Sequence, residues 1–377
     1  MTKKLYPLKF QPILKTKVWG GNRLVKEYGK YPDPEEEIDL SHIGESWEIA
    51  DMGDESTMVS EGFLAENSLF DLLETYLGDL VGDKVFEMYN LQFPIMVKLL
   101  DINKHISVQV HPDDEIALER YDSYGKEEFW HILDADNDAV IYLGFKRKVT
   151  ATEFYDRCKD GTVIQLLNEI RPKKGDNFHI KPGTVHSASG GIRLVEIQQP
   201  SDITFRLYDW EREFDALTAR EMHLEEAIDC IDYNASDPAS LLIPTNPTRG
   251  PLLESDNFII SAVDLQGPRQ IHTESYGSFI IYVCTQGSAS FQVMEGGRKA
   301  SYDISKGGTI LIPASLDDFS IVPLENKTLL LEVWLRPAEM VDDYIDESVS
   351  DDCGDDDGSE FDEECGEDCH CGHNHKH

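Results

Sequence analysis

Residues 107–114 read S-V-Q-V-H-P-D-D. Val108, Gln109, Val110 and His111 alternate, and side chains on a strand repeat every second residue, so Gln109 and His111 point to one face. An imidazole beside an amide oxygen begins a mixed N/O ligand set for a divalent metal, if an acid and a second histidine join them. Pro112 ends the strand because it has no N–H for the ladder.

Strand patterns continue on both sides of this segment. F-P-I-M-V-K-L-L, Phe93 to Leu100, reads as a buried strand interrupted by Lys98. Glu127 to Leu133 and Val140 to Phe145 read as a strand pair. Phe178 to Ile180, the turn K-P-G-T at Lys181 to Thr184, and Val185 to Ser187 form a strand–turn–strand unit, followed by Ile192 to Gln198. Upstream lie a short strand at Lys9 to Leu14 and an alternating one in G-E-S-W-E-I, Gly44 to Ile49. Helical spacing marks Ser68 to Leu80, with Ser68 as N-cap, and Thr150 to Glu169. From Asn257 to Leu335 short β runs recur between Gly-rich turns: Phe258 to Val263, Ser278 to Cys284, Ala289 to Met294, Thr309 to Ile312 and Leu329 to Trp334. That spacing predicts a sandwich or barrel. K-P-G-T-V-H in the first β region is echoed by K-G-G-T-I-L at Lys306 to Leu311 in the second, where the His is missing. The expected fold is mainly β: two jelly-roll modules with a few short helices, and a disordered acidic C-terminal tail. The expected division is residues 1–240 as the metal-bearing module, 251–337 as a second module without a metal site, and 341–377 as the tail. A Pro/Ser/Thr-rich linker, Asp237 to Gly250, separates the modules.

The 377-residue chain carries a net charge of -38, of which -14 lies in the last 37 residues and -24 in residues 1–340. An acidic body argues against binding nucleic acid or anionic membranes, which need Lys/Arg patches. The start M-T-K-K-L-Y-P-L-K-F lacks an apolar signal core, and no apolar run is long enough for a bilayer span. Cys158, Cys230 and Cys284 are scattered, unlike a disulfide framework. A cytoplasmic protein is expected, as monomer or homodimer.

Two further residues complete the candidate ligand set. Glu128 sits in G-K-E-E-F-W-H and His186 in P-G-T-V-H, each where a barrel would aim it inward. Taken singly, each histidine reads as a satisfied interior side chain, Glu127 and Glu128 as a solvated edge, and Gln109 as filler. Jointly, one amide, one carboxylate and two imidazoles leave open positions for substrate, as a catalytic metal site requires. His131 and His179 compete for the role, but His131 lies three residues after Glu128 and so faces the other side.

Seven strings in order carry a family resemblance: W-G-G (Trp19 to Gly21), G-E-S-W-E (Gly44 to Glu48), F-P-x-M-V-K-L-L-D (Phe93 to Asp101), S-V-Q-V-H-P-D-D, G-K-x-E-x-W (Gly125 to Trp130), P-G-T-V-H, and E-I-Q-Q-P-S-D-I-T-F-R-L-Y-D-W (Glu196 to Trp210). Over roughly residues 5 to 335 the chain resembles type I mannose-6-phosphate (phosphomannose) isomerases of the short bacterial branch. The resemblance implies a two-cupin fold, one zinc held by Gln109, His111, Glu128 and His186, and catalytic roles for Arg206 and Lys126. It implies a sugar-phosphate substrate, mannose 6-phosphate interconverted with fructose 6-phosphate through an enediol, with Lys98 and Glu48 as substrate-binding candidates. Lys126, Glu48 and a metal-bound water all stand as candidates for moving the proton. Glu127 replaces the Thr or Pro common in the family and is expected to add a negative charge beside the metal. The long helical insertion of larger members is absent.

The tail adds C-x-x-x-C-H-C-x-H-x-H-x-H, Cys365 to His377, a candidate site for a further metal. A non-catalytic sugar-binding or regulatory cupin is the competing reading. It would be expected to have lost a metal ligand, Arg206 or Lys126.

Overall fold

The computed structural model describes residues 4–33, 36–244 and 250–336. The acidic tail, its Cys/His cluster and the centre of the linker lie outside the described residues. Among the described residues, no helix is long and apolar enough to cross a membrane.

Two antiparallel sheets enclose the first module. The larger runs in the order Leu242–Ile243, Asn177–Ile180, Glu128–Ala135, Ile192–Gln198, Met96–Ile102, Ile43–Ile49, Ile13–Gly21. The smaller runs Leu167–Ile170, Val140–Phe145, His186–Ser189, Val108–Val110, Phe205–Tyr208. Trp130, Ile132, Phe178, Ile180 and Leu194 from the first meet Ile141, Leu143 and Ala188 from the second in a dry core at one end of the space between the sheets. The second module repeats the plan. A sheet ordered Leu253–Glu254, Ile259–Asp264, Leu329–Trp334, Ile280–Gln286, Thr309–Ile312 faces another ordered Arg269–Ile271, Phe319–Pro323, Ser288–Glu295, Arg298–Ser305. Tyr282, Phe291, Phe319 and Ile310 fill the interval.

The modules share one core. Val97, Leu99, Val195 and Ile197 on the outer face of the seven-stranded sheet pack in the same cluster as Ile260, Ile281, Val283, Leu331 and Val333 of the second module. The central strands Met96–Ile102 and Ile192–Gln198 are therefore buried on both faces, and the first reads as a largely apolar run. Lys98 does not interrupt its strand. It is buried and points between the sheets of the first module, where it has a use.

Local signals account for most boundaries. Ser68 caps the helix Leu69–Tyr76 through a capping box with Asp71, but the chain breaks at Leu77 (φ 48°) and restarts as Gly78–Val81. The one or two helices expected over Thr150 to Glu169 are an α-helix and a short 3-10 helix, Val163–Leu166. The α-helix runs from Ala151 to Lys159 under a Thr150 cap, and Leu167–Ile170 joins a sheet instead. The first strand runs through V-W-G-G to Gly21 rather than stopping at Leu14. The helix Asp114–Tyr121 and the strands Phe205–Tyr208, Arg298–Ser305 and Phe319–Pro323 are additions to the sequence reading. In the turn Lys181–Thr184 the Thr184 N–H donates to the Lys181 carbonyl at 3.1 Å, Pro182 takes the second position and Gly183 the third at φ +81°. This is a type II turn, which needs positive φ at its third residue. Gly307 in the echoed K-G-G-T has the same φ of +81° and also feeds a strand, Thr309–Ile312.

Candidate metal centre

The S-V-Q-V-H strand lies beside two strands of the smaller sheet: Gln109 pairs with His186 on one flank and with Arg206 on the other. Glu128 approaches from the larger sheet, at the end of a strand held between Ile180 and Gln198. Three residues far apart in sequence thus meet across the two sheets. His111 Nε2 lies 3.2 Å from Glu128 Oε1, and His186 Nε2 lies 3.6 Å from Glu128 Oε2. All three are buried, and their donor atoms lie within 4.8 Å of one another.

Both imidazoles are oriented by their far nitrogens. His111 Nδ1–H donates to the Ile203 carbonyl at 2.9 Å, and His186 Nδ1–H to the Thr184 carbonyl at 2.9 Å. This fixes the tautomer and leaves each Nε2 with a lone pair aimed at the same point. Burial is the largest cause lowering both histidines, His111 to about 4, so both are neutral near pH 7. Glu128 is held below the usual carboxylate range: burial opposes its charge, and the Lys126 ammonium 3.4 Å away favours it. His111 Nε2 and Glu128 Oε2 are buried without a hydrogen-bond partner. Two orphaned acceptors converging on one point, with their second-row bonds already made, fit a divalent cation such as zinc.

Gln109 is adjacent, with its Nε2 3.1 Å from His186 Nε2 and its Oε1 accepting from Ser107 at 3.2 Å. In this rotamer the amide presents a donor, and a half-turn of its terminal torsion presents the oxygen instead. The competing histidines face elsewhere. His131 bonds Asn177 at 2.7 Å on the outer side of its strand, and His179 Nε2 bonds Glu127 Oε1 at 2.5 Å. The expected negative charge of Glu127 beside the metal is corrected: strand alternation turns it away from Glu128, onto His179 and Asn257.

Beside the triad, reached through Glu128, lies a cavity of about 440 Å³ lined by Lys126, Lys98, Arg206 and Gln109 among others. Lys126 is buried, with Nζ 3.4 Å from both Glu128 Oε1 and Thr204 Oγ1. Lys98 Nζ lies 3.5 Å from Glu196 Oε1. Arg206 lines the cavity with no carboxylate within 4 Å among the described residues, so the ion pairs with Asp202 or Asp209 that would have made it structural do not form. Burial, then the neighbouring Arg220, pushes its guanidinium below the usual value.

Glu48, expected at the substrate, faces away from the cavity. It shares the outer face of its strand with Ser46, which donates to it at 2.6 Å, and it pairs with Lys30 at 2.5 Å. The cavity-facing residue of that strand is Glu45, held to about 2 because Lys17 and Lys98 overcome the effect of its burial. Glu196 also went unassigned. It accepts from Trp130 Nε1 at 2.7 Å and is pushed up to about 7, by burial first and then by Glu128. A charged residue at the centre of an otherwise apolar strand was the signal that marks it.

The family model "Phosphomannose isomerase type I, catalytic domain" matches residues 7–135. Mannose-6-phosphate isomerase ManA of Bacillus subtilis is 31% identical over 337 residues, covering 84% of this chain and 95% of the relative. The crystal structure of the mannose 6-phosphate isomerase from Bacillus subtilis superposes with a TM-score of 0.74 at 27% identity, covering 88% of this chain and 100% of that one. A mannose 6-phosphate isomerase bound with zinc and yttrium shares the fold at 16% identity and a TM-score of 0.69, covering 88% of this chain and 100% of that one.

Proposed function

This chain belongs to the type I phosphomannose isomerase family, and on that premise we propose that it interconverts mannose 6-phosphate and fructose 6-phosphate in a metal-dependent reaction through an enediol. The observation that carries the reading is the pair of neutral imidazoles and the ionised Glu128 converging on one point, with Glu128 also lining a cavity that Lys126 and Arg206 line.

His111, Glu128 and His186, with Gln109 after rotation of its amide, would hold the metal, zinc by the donor set. The metal would supply Lewis-acid polarisation of the substrate's oxygens. The remaining chemistry falls to the chain's own groups. The C2 proton of mannose 6-phosphate is lifted, its electron pair forms the C1–C2 double bond, and O1 takes up a proton. The ketose then forms as O2 loses its proton and C1 gains one. Lys126 and Glu196 are the cavity-facing groups able to carry those protons, and Glu48 drops out because it faces away. Arg206, always cationic and with no carboxylate within 4 Å among the described residues, stabilises the oxyanion that develops at the enediol. Lys98 holds Glu196 and offers its charge to substrate hydroxyls.

Cys158, Cys230 and Cys284 are free and buried, which suits a cytoplasmic setting. The Cys/His cluster of the tail is proposed to hold a further metal by the softness and spacing of its ligands.

A coupled assay for fructose 6-phosphate, with and without chelator, tests the reading. Turnover that vanishes with chelator and returns with zinc is expected. Turnover that persists after the metal is stripped overturns the metal-dependent route, and binding of the sugar phosphate without turnover overturns the enzyme.

A further inference from the structure

The cavity has a second polar end, opposite in character to the metal triad. Residues 220–223 are clamped onto the strand that carries Arg206. His223 N–H donates to the Arg206 carbonyl at 2.8 Å, Arg206 N–H donates to His223 Nδ1 at 3.2 Å, and Arg206 Nη1 donates to the Glu221 carbonyl at 2.5 Å. With Nδ1 accepting, the neutral ring carries its proton on Nε2, and His223 lines the cavity. Nε2 lies 3.9 Å from Glu221 Oε2, too far for a hydrogen bond, and that carboxylate is exposed.

Arg220 lines the cavity as well. Its Nε and Nη2 are spent on the buried Asp209 at 3.0 and 2.5 Å, which fixes the plane of the guanidinium and leaves Nη1 as a donor. Asp209 also takes Arg212 Nη2 at 2.6 Å. Arg212 and Arg220 therefore share one buried carboxylate while Arg206, beside them, has none within 4 Å among the described residues, and positive charge is in surplus. The other lining acids, Glu45, Glu128, Glu196 and Asp202, lie with Lys17, Lys98 and Lys126. In a chain of net charge -38 such a surplus is unexpected on solvation grounds. It suits a dianion.

We propose that Arg220 and His223 bind the phosphoryl group of the substrate, with Arg206 between them and the metal triad. This rests on the isomerase reading above. The order of neighbours is consistent: the triad touches Gln109, Gln109 pairs with Arg206, and Arg206 holds residues 221 and 223. A sugar phosphate laid along that row puts its reacting carbons at one end and its phosphoryl group at the other. Asp209 acts as the positioning residue, holding Arg220 in place before substrate arrives.

Steady-state kinetics on the full chain test this, with inorganic phosphate as a second probe. Arg220→Gln should raise KM for mannose 6-phosphate by roughly ten-fold or more, as loss of a charge-assisted bond predicts, with kcat changed far less. The same variant should weaken competitive inhibition by inorganic phosphate by a similar factor, and Arg220→Lys should recover part of both. His223→Asn keeps an acceptor for the Arg206 N–H while deleting the Nε2 donor, so it should raise KM by about three-fold without changing metal content. A loss carried by kcat alone, or unchanged KM and phosphate inhibition in Arg220→Gln, overturns the proposal. Calorimetric titration of inorganic phosphate separates the two claims. If the wild-type chain does not turn over mannose 6-phosphate, the isomerase reading fails by itself, and the phosphoryl subsite still stands or falls on whether Arg220→Gln abolishes phosphate binding.

Discussion

His111 and His186 show how much of the candidate metal centre lies outside the two rings themselves. Each spends Nδ1 on a backbone carbonyl, so Nε2 is aimed before any cation arrives. The convergence of these side chains was legible in the sequence because Gln109 and His111 share strand parity and Glu128 sits opposite them. The orienting carbonyls were not, since Ile203 and Thr184 carry no sequence mark for that role. Parity also explains the one misplaced residue. Glu45 and Glu48 lie three apart on one strand, so one must face in and the other out, and only the pairing of Trp47 with Lys98 decides which. A different buried acid makes a pH prediction. Asp101 is fully buried and pushed up from 3.8 to about 6, chiefly by burial. The folded state thus holds this proton more tightly than the unfolded chain does. Stability from this group is complete below pH 4 and drains away as pH rises towards 6, a loss of roughly 3 kcal/mol. Asp101→Asn mimics the neutral form and keeps an acceptor for the Arg23 N–H. Its melting temperature should exceed that of the parent at pH 7, with the gap closing below pH 4. A gap that does not vary with pH would refute the assignment.

Among the elements, the turn Lys181–Thr184 bears most directly on the site, because His186 follows it and the Gly183 N–H donates to the His111 carbonyl at 2.9 Å. One turn therefore spaces both imidazoles. A Cβ at residue 183 would meet the Cys230 carbonyl oxygen at 2.8 Å, and φ is +81°. Gly183→Ala should cost on the order of 1–3 kcal/mol of stability and weaken metal binding with it. A denaturant midpoint equal to that of the parent would show that the turn tolerates the side chain. The P-G dipeptide made this turn readable from sequence. The strand Met96–Ile102, buried on both faces, was readable too, as a largely apolar run. Phe205–Tyr208 was missed because F-R-L-Y lies in a motif whose Arg drew a chemical reading rather than a structural one, and Arg298–Ser305 because a two-residue Gly turn merged it with its neighbour.

At the scale of the whole molecule, the second module buries the outer face of the sheet that delivers Glu128, Lys98 and Glu196. Among the described residues, the His/Glu group draws no member from this module. By covering that face it lets charged side chains stand on strands that are otherwise apolar. The two-module plan was legible from the regular β spacing and the repeated Gly turn. The shared core was not, because composition does not say which faces meet. Residues 1–338 form one compact unit, so a chain ending at Pro337 should turn over as fast as the full chain. That truncated chain allows the cavity metal to be counted without any contribution from the Cys/His cluster. The decisive measurement is metal content and turnover of the truncated chain and of its Glu128→Ala variant, taken side by side. The account predicts one metal per parent chain, almost none in the variant, and turnover in the variant reduced by roughly a hundred-fold or more. A variant that keeps its metal, or that keeps most of its activity without one, would contradict it.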